Sequence, residues 1–139
     1  MRTLSRVCRI SLACPAIVTL LAGCAATERL PEARYALSER ESVVLAPEQR
    51  LSITYEGADD TRCPDNARCM AAGQVAYRFT LRINGIAQAF WLVPGQPGYT
   101  SPALRGSRIE LDRALMAPER GMADSRPASY PVAFNMYNH

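Results

Sequence analysis

Gln74-Val75-Ala76-Tyr77-Arg78-Phe79-Thr80-Leu81-Arg82-Ile83-Asn84-Gly85-Ile86-Ala87-Gln88-Ala89-Phe90-Trp91-Leu92-Val93 decides the fold class. Val75, Tyr77, Phe79, Leu81 and Ile83 alternate with Ala76, Arg78, Thr80 and Arg82, the two-residue period of a strand with one buried face. Asn84-Gly85 then supplies the positive φ that both central positions of a type I′ turn require, so the segment reads as a hairpin. A two-residue turn sets the register. Ile83 faces Ile86, Leu81 faces Gln88, Phe79 faces Phe90 and Tyr77 faces Leu92, on a largely apolar face that belongs in the core. On the other face Arg78 meets Trp91, a cation–π pair worth about 0.5–1 kcal/mol if exposed.

The same period extends in both directions. Val43 and Leu45 open a first strand, and Pro47 punctuates the following turn. Leu51, Ile53 and Tyr55 alternate with Ser52, Thr54 and Glu56, and Gly57 is read as the end of that strand. Pro94 to Ser107 lacks periodicity and reads as a long loop. Arg108 to Met116 reads as a strand with Ile109 and Leu111 on one face. Ala117 to Ser129 reads as a polar loop, and Tyr130 to Met136 as a last strand in which Pro131 favours an edge position. Short strands punctuated by Gly and Pro predict an all-β domain, a small antiparallel β-sandwich of six or seven strands over residues 41–139.

The first 23 residues read as a signal peptide. Arg2, Arg6 and Arg9 precede an apolar run from Ile10 to Ala22, which is shorter than the roughly 20 residues a membrane-spanning helix needs. Leu21-Ala22-Gly23-Cys24 resembles the lipobox of bacterial lipoproteins. That resemblance implies cleavage between Gly23 and Cys24 and lipidation of Cys24. Residues 24–40 then read as a lipidated N-terminus and tether, with a short amphipathic helix an option around Glu32–Leu37. All 16 basic residues of the 139 are arginines, against 13 acidic ones. Three arginines leave with the leader, so the mature chain is formally neutral. It has no basic excess to suggest nucleic-acid binding.

Cys8 and Cys14 also leave with the leader, and Cys24 carries the lipid. Cys63 and Cys69 remain, an even pair in an exported chain, for which a disulfide is expected. They lie in Asp59-Asp60-Thr61-Arg62-Cys63-Pro64-Asp65-Asn66-Ala67-Arg68-Cys69-Met70-Ala71-Ala72-Gly73. This stretch resembles a pattern of small bacterial envelope lipoproteins, roughly Asp-Ser-Arg-Cys-Pro, four residues, Cys, two residues, Ala-Gly, then a strand. It departs from the pattern at Thr61, where serine is usual, and at Met70-Ala71, where a larger pair such as Val-Trp is frequent. The resemblance implies a short β-domain behind a lipobox and brings no established activity with it.

Several chemistries compete for this motif. As a cross-linked loop, it is stiffened by Pro64, bends at Gly73, and has Asp60 and Arg62 placed to pair or to satisfy backbone groups. As a calcium site, it gathers the oxygen ligands Asp59, Asp60, Asp65 and Asn66, without EF-hand spacing. As a redox pair or Cu(I) site, it uses Cys63, Cys69 and Met70, without the C-x-x-C spacing. As a partner-binding tip, it sits on a rigid scaffold.

Elsewhere, Met116, Met122 and Met136 with His139 form an imaginable copper cluster. Glu110 and Asp112 share a strand face as paired carboxylates do. Trp91, Tyr99, Tyr130 and Tyr137 offer aromatic surface for a groove. His139 is the only histidine, which argues against a Ser-His-Asp triad or a multi-histidine zinc site. The expectation is a non-enzymatic binding or structural module without a cofactor. With Ala25 rather than aspartate after the acylated cysteine, the chain resembles lipoproteins sent to the outer membrane, which implies anchoring by lipid on the periplasmic face of that membrane. An envelope protein is its expected partner. A copper- or calcium-handling lipoprotein is the alternative.

Overall fold

The structure is a computed structural model describing residues 28–114, 121 and 130–138. Asn84 and Gly85 both take positive φ, 47° and 86°, and join β4 (Val75–Ile83) to β5 (Ile86–Leu92). The register is the expected one throughout, from Ile83 opposite Ile86 to Tyr77 opposite Leu92. Arg78 lies over the Trp91 ring at 5.7 Å from its centroid. One part of the face assignment fails. Ile86 is 71% exposed and Gln88 is exposed, because the turn end of the hairpin projects past the core. Only Phe90 and Leu92 of β5 are buried.

β3 (Leu51–Asp60) pairs with β4, and β2 (Ser42–Ala46) with β3, giving an antiparallel sheet ordered β2-β3-β4-β5. The second sheet is ordered β1-β8-β7-β6, from β1 (Ala33–Leu37), β6 (Tyr99–Thr100), β7 (Ser107–Leu111) and β8 (Val132–Asn138). All neighbours are antiparallel. The two sheets pack face to face as the expected sandwich, with eight described strands rather than six or seven.

Rings stitch the layers together. Phe79 meets Phe134 of the opposite sheet edge-on at 5.7 Å, and Phe90 stacks on Tyr99 of the opposite sheet at 3.8 Å. Offset and edge-on pairs of this kind add about 0.5–1.5 kcal/mol each beyond the area they bury.

The departures have local causes. Residues read as tether up to Arg40 contain β1, whose Tyr35 lies opposite Phe134 and whose Leu37 is buried. Leu30, ahead of the strand, is buried as well. The helix option at Glu32–Leu37 loses because β8 offers a ladder of backbone partners along this segment. The long loop from Pro94 contains β6, two residues held against β7. The backbones approach closely there: a Cβ at Gly98 would lie 2.4 Å from the Ile109 carbonyl oxygen. The strand expected from Arg108 to Met116 ends at Leu111. Pro131 immediately precedes β8, which is an interior strand and not an edge. Gly57 does not end β3. It occupies a β-bulge at φ 126°, and the strand continues to Asp60.

Candidate functional site

That bulge builds the site. Leu51, Ile53 and Tyr55 point into the core, so unbroken alternation would send Ala58 and Asp60 outward. The extra residue between Tyr55 and Gly57 shifts the phase. Ala58 then lies opposite the inward Tyr77 and Asp60 opposite the inward Val75. Asp60 is thereby aimed at the end of the sandwich interior, while Asp59 lies on the opposite face and is exposed.

The Asp60 carboxylate is only 7% exposed and is held on several sides. Arg62 donates Nε to Oδ1 at 2.9 Å and Nη2 to Oδ2 at 2.8 Å, and its backbone N–H donates to Oδ1 at 3.0 Å. Tyr130, from the segment before β8, donates its hydroxyl to Oδ2 at 3.0 Å. The Tyr130 carbonyl in turn accepts the Tyr55 hydroxyl at 2.6 Å. The Arg62 guanidinium first, with the Arg62 and Tyr130 hydrogen bonds, holds the Asp60 carboxyl at about 2 against the opposing effect of burial. Arg62 is correspondingly raised by Asp60. Burial pushes the Tyr55 hydroxyl well above the usual range and raises that of Tyr77, so both stay protonated.

Beyond Arg62 the motif is a closed loop. The Sγ atoms of Cys63 and Cys69 sit at disulfide-bonding distance, with Cα atoms 5.8 Å apart. Thr61 clamps the base: its hydroxyl donates to the Gln74 carbonyl at 2.9 Å and accepts the Gln74 N–H at 3.0 Å. A serine hydroxyl has the same capacity, so Thr61 in place of serine keeps the clamp. Cys63 N–H donates to the Ala72 carbonyl at 3.1 Å. The return strand comes so close that a Cβ on Gly73, which sits at φ 66°, would lie 1.9 Å from the Thr61 carbonyl oxygen. Asp65 donates its N–H to the Gly121 carbonyl at 2.9 Å. The tip from Asp65 to Gly73 is exposed, and Met70 wholly so.

Next to this loop, at the same end of the sandwich, lies a cleft of about 620 Å³. Arg62, Val75, the Val93–Gly98 loop and Glu110 to Arg113 line it. Its acids are engaged: Glu110 accepts from Arg108 at 3.2 Å, and Asp112 pairs with Arg34 of β1. The Arg34 hydrogen bond, with the Ala114 N–H, lowers the Asp112 carboxyl. Glu110 and Asp112 thus share the cleft but serve different arginines.

The oxygen ligands considered for calcium are not brought together. Asp60 is committed inward, Asp59 lies across the strand, and Asp65 and Asn66 belong to the loop tip. Among the described residues no three His, Cys, Asp or Glu side chains converge as a metal-holding group. Trp91 and Tyr137 lie exposed on outer faces, whereas Tyr99 stacks in the interior and Tyr130 serves Asp60, so the four do not form one groove. Gly23, Cys24, Met116, Met122 and His139 lie outside the described residues, as does the signal peptide.

Sequence reasoning found the Asp60–Arg62 pair but missed Tyr130 and Tyr55 as its support. The available signal was Tyr55 itself. A tyrosine at an inward strand position usually finds a partner for its hydroxyl. Compared with protein-family models, curated proteins and solved structures, the chain finds no match.

Proposed function

We propose that this chain is a lipid-anchored envelope protein, with Cys24 acylated after cleavage behind Gly23. Its β-sandwich works as a non-enzymatic binding or structural module on the periplasmic face of the outer membrane. The leader and the Leu21-Ala22-Gly23-Cys24 sequence support the anchor. The observation that carries the module reading is the fate of the motif's chemistry. Asp60, Thr61, Arg62, Cys63, Cys69 and Gly73 are each engaged in holding one loop in one shape. What that architecture displays is an exposed tip, Asp65 to Gly73, beside a cleft. A carboxylate held at about 2 by an arginine is a poor general base at neutral pH, since its proton affinity is far from the operating range.

The test is crosslinking in intact envelope from tip positions, with Met70 and Arg68 replaced in turn by a photoreactive residue. A module yields a discrete adduct from the tip and none from the exposed opposite end of the sandwich. Adducts spread evenly over both ends count against it. Dialysis followed by metal analysis tests the copper or calcium alternative, and a stoichiometric ion retained by the protein would replace the module reading.

A further inference from the structure

The end of the sandwich opposite the disulfide loop has its own character. The chain is pinned there from Glu28 onward. Arg105 donates Nη1 to the Glu28 carbonyl at 2.8 Å and Nη2 to Glu48 at 3.3 Å. Asn138 donates to the Leu30 carbonyl at 3.1 Å and to Glu32 at 3.0 Å. Glu48 belongs to the 3-10 turn Pro47–Gln49 between β2 and β3. This end therefore also holds the start of β3, the end of β4 and the Asn84-Gly85 turn.

Cys24 precedes Glu28 by four residues. Four residues span at most about 14 Å whatever their path. If Cys24 carries lipid, this end cannot stand farther than that from the headgroups. The surface facing them suits the position. Val44 and Ile86 are 58% and 71% exposed. Val44 shares a shallow hollow with Pro47, Arg50, Ser52, Arg82 and Gly85, two arginines and no acid, and Ile86 follows Gly85 at the same end on the other face of the sheet. A single exposed apolar residue is ordinary. Two of them at the end that carries these arginines, within reach of a lipid anchor, match what an interfacial surface needs: apolar tips for the acyl boundary and cations for phosphates.

We propose that this end docks on the surface of an anionic phospholipid bilayer, with Arg50 and Arg82 on headgroup phosphates and Ile86 and Val44 at the acyl boundary. The proposal rests on the anchor reading. It fixes the orientation of the molecule: β4, nine residues long, rises away from the membrane and carries the disulfide loop and the cleft roughly 25–30 Å above the docked end.

The experiment uses the full-length protein purified from envelope, with intact mass read at Cys24, and a nitroxide on Ile86→Cys or on Gln96→Cys in the distal loop. Each is placed in phosphatidylglycerol–phosphatidylethanolamine vesicles, and collision with oxygen is compared with collision with a water-soluble nickel chelate. The oxygen-to-nickel ratio at position 86 should exceed that at 96 several-fold. It should fall toward the value at 96 when Arg50→Asn and Arg82→Gln are combined, or when the vesicles are pure phosphatidylcholine. Equal ratios at 86 and 96 in anionic vesicles, on protein that carries lipid at Cys24, would overturn the docking and leave the anchor standing. A mass without lipid at Cys24 would overturn both. If Ile86→Cys does not fold, Val44→Cys labels the same end and is read against the same outcomes.

Discussion

Asp60 shows how one side chain ties the motif to the fold. Its folded carboxyl titrates at about 2, below the ordinary 3.8, so the folded state binds fewer protons than the unfolded one in that interval. The stabilisation is therefore complete above about pH 4 and is lost as pH falls toward about 2. The gap corresponds to ~2 kcal/mol, an upper bound because the Arg62 side chain is 25% exposed and solvent screens the pair. Asp60→Asn should cost about 1–2 kcal/mol at neutral pH and flatten the acid limb of urea-unfolding stability between pH 4 and 2. An unchanged acid limb would remove Asp60 from this role. Gly73 makes a second residue-scale case. Alanine there meets the left-handed φ, about 1–2 kcal/mol, and in addition a backbone oxygen 1.9 Å from its Cβ. Gly73→Ala should therefore destabilise by more than Gly85→Ala, which also has positive φ but has nothing within 4 Å of its Cβ; thermal unfolding of the two variants gives the comparison. The Asp60–Arg62 pairing was legible from adjacency in sequence. Tyr130 was not, because it lies 70 residues away and only closure of the sandwich brings it over the carboxylate.

At the scale of elements, the β4–β5 hairpin carries the most testable packing. Phe79 is fully buried between Tyr55, Phe90 and Phe134, and Phe90 stacks on both Phe79 and Tyr99. Phe79→Ala and Phe90→Ala should each cost about 3–5 kcal/mol, as large-to-small changes in close-packed cores do. Arg82→Ala and Ile86→Ala, both exposed, should stay within about 0.5 kcal/mol. Comparable losses in urea unfolding at all four positions would show that the faces are misassigned. The cysteine loop is the second element. Its closure should contribute about 2–3 kcal/mol by constraining the unfolded chain. Cys63→Ser with Cys69→Ser should lower stability by that amount, and native protein should resist alkylation until reductant is added. A substantial free-thiol fraction trapped in whole cells would instead favour redox or copper chemistry. The hairpin could be read because its determinants are local: a two-residue turn and a period of two. The bulge at Gly57 could not, since a glycine inside a strand pattern marks a strand end as readily as a phase shift. β6 was hidden for a different reason. Two residues bounded by Gly98 and Ser101 carry no periodicity, and β7 supplies the pairing.

At the scale of the whole molecule, the largest difference from a sequence reading is where the domain begins. Glu28, Arg29, Glu32, Arg34, Glu39 and Arg40 give the segment the composition of a tether, and only Leu30, Tyr35 and Leu37 signal otherwise. Their burial depends on β8, about a hundred residues later, which no local pattern encodes. Two readings of this segment therefore differ in a measurable way. If residues up to Arg40 were only a spacer, a chain starting at Glu41 would be as stable as one starting at Glu28. In the structure, removing residues 28–40 strips β1 from β8, empties the sites of the buried Leu30 and Leu37, and takes Tyr35 from its 5.3 Å contact with Phe134. It also removes Arg34 from Asp112 and turns β8 into an unprotected edge carrying Val132, Phe134 and Met136. Each lost leucine alone is worth about 2–5 kcal/mol, and a domain of this size has only about 5–15 kcal/mol in total. The chain starting at Glu41 should therefore be unfolded or aggregated, since an exposed apolar edge recruits other strands. The chain starting at Glu28 should fold cooperatively. Equal midpoints for the Glu28 and Glu41 chains would mean that β1 is a dispensable strap. The connection between the proposed anchor and the domain would then be a free spacer, long enough to let the sandwich tumble away from a membrane.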